Sequence, residues 1–221
     1  MARGNGGVTA PSDTPSWRQL LTLLLGFDVA LLILHLGSET TFAVLGGTRL
    51  GAAPPTSADH SLLGAAAPLQ LLAFAALALV ASRVTGAPPR DRLAAFAAAV
   101  LALADVADLT ARLATAAATV TGSPYAMPIA KLTTAGGVAV LVAAPLLLRS
   151  GGAGPLGRIV LRLTLGLGAT AVLLDAAVPL MLRDALPRSI LDGAEELAEA
   201  AIASWALAAG WRTMLRPAYL S

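Results

Sequence analysis

The last hydrophobic segment of the chain opens with a group of carboxylates, at Asp192, Glu195, Glu196 and Glu199. At about 100° per residue, these four side chains occupy one face of a helix. Charged groups in or beside a membrane span are costly, so they normally face a protein interior, a water-filled cavity or a partner. The sequence therefore predicts a polar site along this face of the last helix.

The first hydrophobic segment carries a second stripe of ionisable side chains. Asp28, His35 and Glu39 are separated by seven and four residues, and at helical spacing they fall within about 40° of one another. A lone histidine in such a segment is more often a packed, hydrogen-bonded side chain than a ligand. Its alignment with two carboxylates favours an ion-binding role for His35.

The third segment carries Asp105, Asp108 and Arg112 at spacings of three and four residues, which again form one stripe. Asp175 lies in the fifth segment, and Lys131 begins the fourth. Ionisable residues within spans are rare and mark ion pathways, proton relays or paired charges. Each of these residues is therefore a candidate for one of those roles.

Two kinds of chemistry fit these side chains. Carboxylates together with imidazole are ligands for Zn²⁺, Mn²⁺ or non-haem iron. The predicted metal ligands are His35, Glu39, Glu195, Glu196 and Glu199. Carboxylates withdrawn from water can also hold and pass protons, because desolvation disfavours their charged form. The predicted proton or ion relay consists of Asp28, Asp105, Asp108 and Asp175, with Arg112 and Lys131 as charge partners.

Structural roles for the same residues remain open. Acids at the start of the last segment complement the positive end of a helix dipole, each contributing about 0.3–1 kcal/mol. Asp108 and Arg112 have the spacing of an i,i+4 ion pair, and Lys131 can neutralise a carboxylate on a neighbouring helix. Asp28 and Asp105 carry the stronger functional signal, because a carboxylate near the bilayer midplane is costly unless it is protonated or paired.

The composition indicates a membrane protein. Of its 221 residues 57% are hydrophobic and only 13% are charged, and the charged share is about half that of a typical soluble domain. The formal net charge of +2 is too small to indicate nucleic-acid binding. The absence of cysteine excludes disulfides and thiolate metal sites. Gly-x-Ser-x-Gly, His-Glu-x-x-His and Walker motifs are also absent, so no catalytic residue is assigned.

Six segments of about 20 or more mostly apolar residues could each cross a hydrocarbon core roughly 30 Å thick. They cover residues 17–45, 59–84, 92–120, 128–148, 159–182 and 189–215. The Gly-, Pro- and Ser-rich residues 1–16 predict a disordered N-terminal tail, and residues 216–221 a short C-terminal tail. The predicted fold is all-α: a polytopic integral membrane protein with six transmembrane helices in one bundle.

The arginines give the expected orientation of the bundle. They are more frequent near the termini and near the second and fourth linkers than near the other loops, and Lys and Arg concentrate on the cytoplasmic side of membrane proteins. We therefore expect both termini in the cytoplasm, in agreement with an even number of spans. The alanine- and arginine-rich composition favours the cytoplasmic (inner) membrane of a bacterium.

This orientation also predicts the depth of the polar residues. Late residues of the outward spans share a depth with early residues of the inward spans. The outer half then contains His35, Glu39, Asp108, Arg112, Lys131, Asp175 and the acids of the last helix. Asp28, about 15 Å above Arg18, lies nearer the midplane together with Asp105. We expect a funnel of acids that opens on the extracytoplasmic side, above an almost purely apolar inner half.

Three functions fit this pattern. The first is an intramembrane carboxylate/His site that binds a proton or divalent metal from the extracytoplasmic side, in transport, sensing or an accessory role. The second is a membrane-embedded, metal-dependent enzyme that acts on a lipid or quinone at the outer leaflet. The third is a non-catalytic subunit of a larger membrane complex. The expected partners are the lipid bilayer and other membrane proteins or a second copy of the chain, and not nucleic acid.

Overall fold

The computed structural model describes residues 16–44, 63–84, 89–107, 112–113, 115–116, 119–120, 126–148, 154–177 and 188–215. This part of the chain contains six long α-helices: α1 (Trp17–Val44), α2 (Ala66–Val84), α3 (Pro89–Val106), α4 (Ala126–Leu148), α5 (Gly154–Thr170) and α6 (Arg188–Met214). A π-helical segment, Ala171–Ala177, continues α5. Because the described residues contain no strand, the prediction of an all-α chain is confirmed for them.

Among the described residues, four helices are long and apolar enough to cross a membrane. These candidate spans are Trp17–Gly37, Ala66–Arg83, Ile129–Leu148 and Gly154–Leu174. They lie in α1, α2, α4, and α5 with its π-helical continuation. Large apolar side chains are exposed on their outer surfaces, as at Phe27 and Val140, which suits contact with lipid tails. The predicted membrane character is thus confirmed in its coarse form.

Local sequence signals explain where several helices begin. Ser16 and Gln19 form a capping box at α1. The backbone N–H of Gln19 donates to Ser16 Oγ, and the backbone N–H of Ser16 donates to Gln19 Oε1 at 2.7 Å. Helix α3 begins at Pro89, whose ring fixes a helical φ where no amide hydrogen is needed. Helix α5 begins at Gly154, whose φ of 64° favours glycine. The Gly- and Pro-rich linkers thus supply the first residues of α3 and α5.

The last helix, α6, is the central element of the packing. It contacts α1, α2, α5 and the π-helical segment, while α2 also packs along α3. Small side chains fill these contacts, and Ala78, Ala98, Ala203 and Ala206 are all fully buried. Small residues let helix backbones approach closely, which matters in lipid because packing there replaces the hydrophobic effect as the driving force.

Helices α1 and α6 run antiparallel, so the start of α1 lies beside the end of α6. The Arg212 guanidinium lies 5.1 Å from the centre of the Trp17 ring, whereas Gly193 packs against Leu32, further along α1. Arg158 and Arg162 lie beside Trp17 as well. We call this the arginine end of the bundle. The opposite end, which carries the first turns of α6, is the acid end.

Candidate functional site

A small polar cavity lies between α3, α4, α5 and α6 at the acid end. Its volume is about 120 Å³, which is enough for several water molecules. Four ionisable side chains line it: Asp105, Lys131, Glu195 and Glu199. The remaining lining is mostly alanine, glycine and aliphatic side chains. We call it the acid cavity.

Helix geometry explains why these four side chains meet. Glu195 and Glu199 are one turn apart on α6, so they lie on the same face. Asp105 is in the last turn of α3, whereas Lys131 is near the start of α4, and an antiparallel course brings those two helix ends to the same level. The sequence had placed Asp105 nearer the midplane than the other three, so their meeting in one cavity was not predicted. The cavity has three carboxylates and one ammonium, so with all four groups charged its formal charge of −2 attracts cations.

A second polar cluster lies deeper, between α1, α2 and α6. Asp28 is fully buried and accepts a hydrogen bond from Gln70 Nε2 at 2.8 Å on Oδ1. Its Oδ2 lies 2.7 Å from Ser204 Oγ, which is also 3.1 Å from Gln70 Oε1. The three side chains form a closed ring, which we call the Asp28 ring. It satisfies the carboxyl group that the sequence placed near mid-bilayer.

The hydrogen bonds that the Asp28 ring can form depend on whether Asp28 carries a proton. The Ser204 hydroxyl has one hydrogen, so it can donate either to Asp28 or to Gln70 Oε1, but not to both at once. With a proton on Asp28 Oδ2, Asp28 donates to Ser204, Ser204 donates to Gln70, and Gln70 donates back to Asp28. All three contacts are then hydrogen bonds. The ring can therefore accept one proton without losing a contact.

His35 and Glu196 are not among the residues that line the acid cavity. Both side chains are buried. A Cβ added to Gly193 would lie 3.2 Å from Leu32 Cδ1 and 3.9 Å from His35 Cδ2, so this face of α6 packs closely on α1. Glu196 lies one turn beyond Gly193 on that face. The acids predicted on one face are thus divided: Glu195 and Glu199 line the cavity, whereas Glu196 is buried and does not line it.

Several of the other predicted residues fall outside what the structure describes. Asp108 is outside the described part of the chain, and so are the side chains of Glu39, Asp175 and Asp192. Arg112 is exposed. Among the described residues, no three His, Asp or Glu side chains are grouped closely enough to form a preformed metal site. The metal-ligand and relay assignments of the sequence therefore stay predictions.

An apolar groove adjoins the acid cavity. It runs between α4, α5 and the π-helical segment, with a volume of about 630 Å³. Leu147, Leu165 and Leu173 are among its lining residues. Three residues, Ala139, Thr164 and Gly168, line both the groove and the acid cavity. The groove and the acid cavity therefore lie side by side, with these three residues between them.

Comparison of the chain with protein-family models, with curated proteins and with solved structures finds no match. The acid cavity, the Asp28 ring and the adjoining groove are therefore the features that bear on its function.

Sequence reasoning missed two members of the site, Gln70 and Ser204. Both are uncharged, and a single amide or hydroxyl in an apolar helix is common enough to carry little signal by itself. The available signal was that Gln70 is the main polar residue in the second span, and that a mid-bilayer carboxylate such as Asp28 requires partners. A search for its partners among uncharged polar residues at matching depth could have found them.

Proposed function

We propose that the chain is a six-span protein of a bacterial inner membrane, with both termini in the cytoplasm, whose acid cavity binds a cation from the extracytoplasmic side. Its role would be in transport, sensing or an accessory function. Two features support the orientation. Arg158, Arg162 and Arg212 lie together at one end of the bundle, which the positive-inside rule assigns to the cytoplasm. The acid cavity lies at the other end.

One observation carries the proposal: Asp105, Glu195 and Glu199, from two helices, line the same small cavity. Carboxylate oxygens and water are the donors that Mn²⁺ and other hard divalent ions prefer. The described residues that line the cavity include no histidine, which favours Mn²⁺ over Zn²⁺. Since the described carboxylates do not form a preformed metal site, a divalent ion would keep part of its water shell. A proton is the alternative cation, held by the same carboxylates.

Lys131 gives this proposal a distinctive consequence. Its ammonium group lines the same cavity as the carboxylates and repels an incoming cation. In a cation site, Lys131→Met therefore strengthens Mn²⁺ binding, whereas Glu199→Gln weakens it. If the four side chains form only a structural ion-pair network, both substitutions lower the stability of the protein. No Mn²⁺ binding is then measured with or without them.

We expect Glu199→Gln to weaken Mn²⁺ binding roughly tenfold or more, because loss of one charged ligand removes about 1.4 kcal/mol or more. Lys131→Met should change the affinity in the opposite direction. Isothermal titration calorimetry of the detergent-purified protein measures both. Glu196→Gln is the matched control, because Glu196 lies beside Glu195 but does not line the cavity. Equal weakening by Glu196→Gln and Glu199→Gln would contradict the assignment to this cavity.

Absence of saturable Mn²⁺ binding to the unsubstituted protein would exclude the metal form of the proposal. The proton form then predicts proton uptake by the purified protein that Glu199→Gln reduces and Glu196→Gln leaves unchanged. Loss of both effects, together with a stable stoichiometric partner during purification, would instead favour the third function, a non-catalytic subunit.

A second candidate function is favoured by the apolar groove. Its volume of about 630 Å³ lies within the range of small-molecule sites, about 300–1,000 Å³, and it shares lining residues with the acid cavity. A lipid or quinone in the groove would place its polar group beside the carboxylates, as a metal-dependent enzyme of the outer leaflet requires. Extraction of a bound isoprenoid or acyl compound from the purified protein would support this function.

A further inference from the structure

A third cavity, at the arginine end, has a different chemistry from the acid cavity. It lies between the start of α1, the start of α5 and the end of α6, with a volume of about 400 Å³. Three arginines line it: Arg158, Arg162 and Arg212. Trp17 and Trp205 form part of its wall. We call it the arginine cavity.

The three arginines come from two helices. Arg158 and Arg162 are one turn apart on α5, so they lie on the same face. Arg212 is in the last turn of α6, and its position over the Trp17 ring fits a cation–π contact that fixes its direction. No carboxylate lines this cavity among the described residues. Three positive charges thus share one concave space, which attracts an anion of matching size.

The rest of the lining indicates what kind of anion fits. Pro155, Ile159 and Ala209 give the cavity an apolar part beside its arginines. Tryptophan concentrates at the level of the lipid headgroups, where one edge of the ring meets water and the other meets acyl chains. Trp17 at the start of α1 and Arg212 at the end of α6 lie at the same end of the bundle. An anionic group with an apolar tail matches both halves of this lining.

We infer that the arginine cavity binds the phosphate group of an anionic phospholipid. The planar guanidinium group can donate two parallel hydrogen bonds to phosphate oxygens, and Arg158 with Arg162 presents two such groups one turn apart. The apolar lining accommodates the first part of the acyl chains. This inference does not depend on the acid cavity and stands whichever cation that cavity binds.

Tryptophan fluorescence provides a direct test, because Trp17 and Trp205 are two of only three tryptophans in the chain. The full-length protein in a neutral detergent is titrated with phosphatidylglycerol, with phosphatidylcholine, and separately with inorganic phosphate. We expect a saturable change with phosphatidylglycerol and a much weaker one with zwitterionic phosphatidylcholine. Saturation by inorganic phosphate at the same concentrations would identify a free phosphate, rather than a lipid, as the ligand.

Substitutions locate the binding. Arg158→Gln, Arg162→Gln and Arg212→Gln should each weaken phosphatidylglycerol binding roughly tenfold, the scale of one charge-assisted hydrogen bond. Arg158→Lys should be intermediate, since it keeps the charge but loses the paired donors. Arg83→Gln is the matched control: Arg83 is exposed in the last turn of α2 and does not line the cavity. An equal loss with Arg83→Gln, or equal binding of the two lipids, would overturn the inference.

Discussion

Gly210→Ala is expected to destabilise the folded bundle by about 3 kcal/mol, near the upper end of the range for overpacking of a core. A Cβ at Gly210 would lie 2.6 Å from Cδ2 of Phe74 and even closer to Cε2. Phe74 is fully buried on α2, so its ring cannot move aside without displacing its neighbours. Because α2 and α6 form one of the main helix contacts, the clash would push two central helices apart. Unfolding by sodium dodecyl sulfate in mixed micelles measures the loss.

Gly137→Ala on α4 is the matched control for this change. A Cβ at Gly137 meets no heavy atom within 4 Å, so the added methyl group has room. Alanine in a helix interior is favoured over glycine by about 0.5–1 kcal/mol, and we expect Gly137→Ala to be neutral or slightly stabilising. A loss as large as that of Gly210→Ala would contradict the close packing of α2 on α6.

Asp28→Leu should destabilise the protein by about 2–4 kcal/mol, since each unsatisfied buried polar group costs about 1–3 kcal/mol. The substitution removes both carboxyl oxygens from the Asp28 ring. It leaves the Gln70 amide and the Ser204 hydroxyl with only each other, at 3.1 Å. Both residues are buried, so water cannot readily replace the lost oxygens. The same unfolding measurement applies.

Two further variants separate hydrogen bonding from packing at this position. Asp28→Asn keeps an oxygen for Gln70 and an N–H for Ser204, so it should stay within about 1 kcal/mol of the unsubstituted protein. Combining Asp28→Leu with Gln70→Met and Ser204→Ala removes every member of the ring, and should recover most of the lost stability. A combined variant less stable than Asp28→Leu alone would show that the ring is not the cause of the loss.

Asp28→Asn also separates stability from function. Since the ring can take one proton without losing a hydrogen bond, Asp28 remains a candidate for the proton relay predicted from the sequence. A relay role predicts that Asp28→Asn keeps the fold but abolishes proton uptake. A structural role predicts that both the fold and the uptake are kept.

The apolar helices could be predicted because length and composition determine them. About 20 apolar residues in a row are sufficient to define a candidate membrane helix, whatever its neighbours are. The capping residues at Ser16 and the helix-starting Pro89 act over only a few residues, so they too can be recognised in the sequence. The candidate spans in α1, α2, α4 and α5 follow from such local rules.

The grouping in the acid cavity followed only in part from the fixed rise per residue of each helix. Counting from the helix ends placed Lys131 and the acids of the last helix in the outer half and Asp105 nearer the midplane, whereas all of Asp105, Lys131, Glu195 and Glu199 line one cavity. Which acids share the cavity was not predictable. Glu195 and Glu196 differ by only about 100° around α6, yet one lines the cavity and the other is buried on another side. Their difference depends on which neighbour each face meets.

The sequence by itself therefore determined the all-α character of the described residues and the candidate membrane helices among them. Both depend on local composition. Only the tertiary structure decided the partners of Asp28, the close contact of Gly210 with Phe74, and the convergence of three arginines on one cavity. Each of these depends on the rotation of a helix about its axis and on the choice of its neighbours. Those are set by packing between segments far apart in the chain, and no local pattern encodes them.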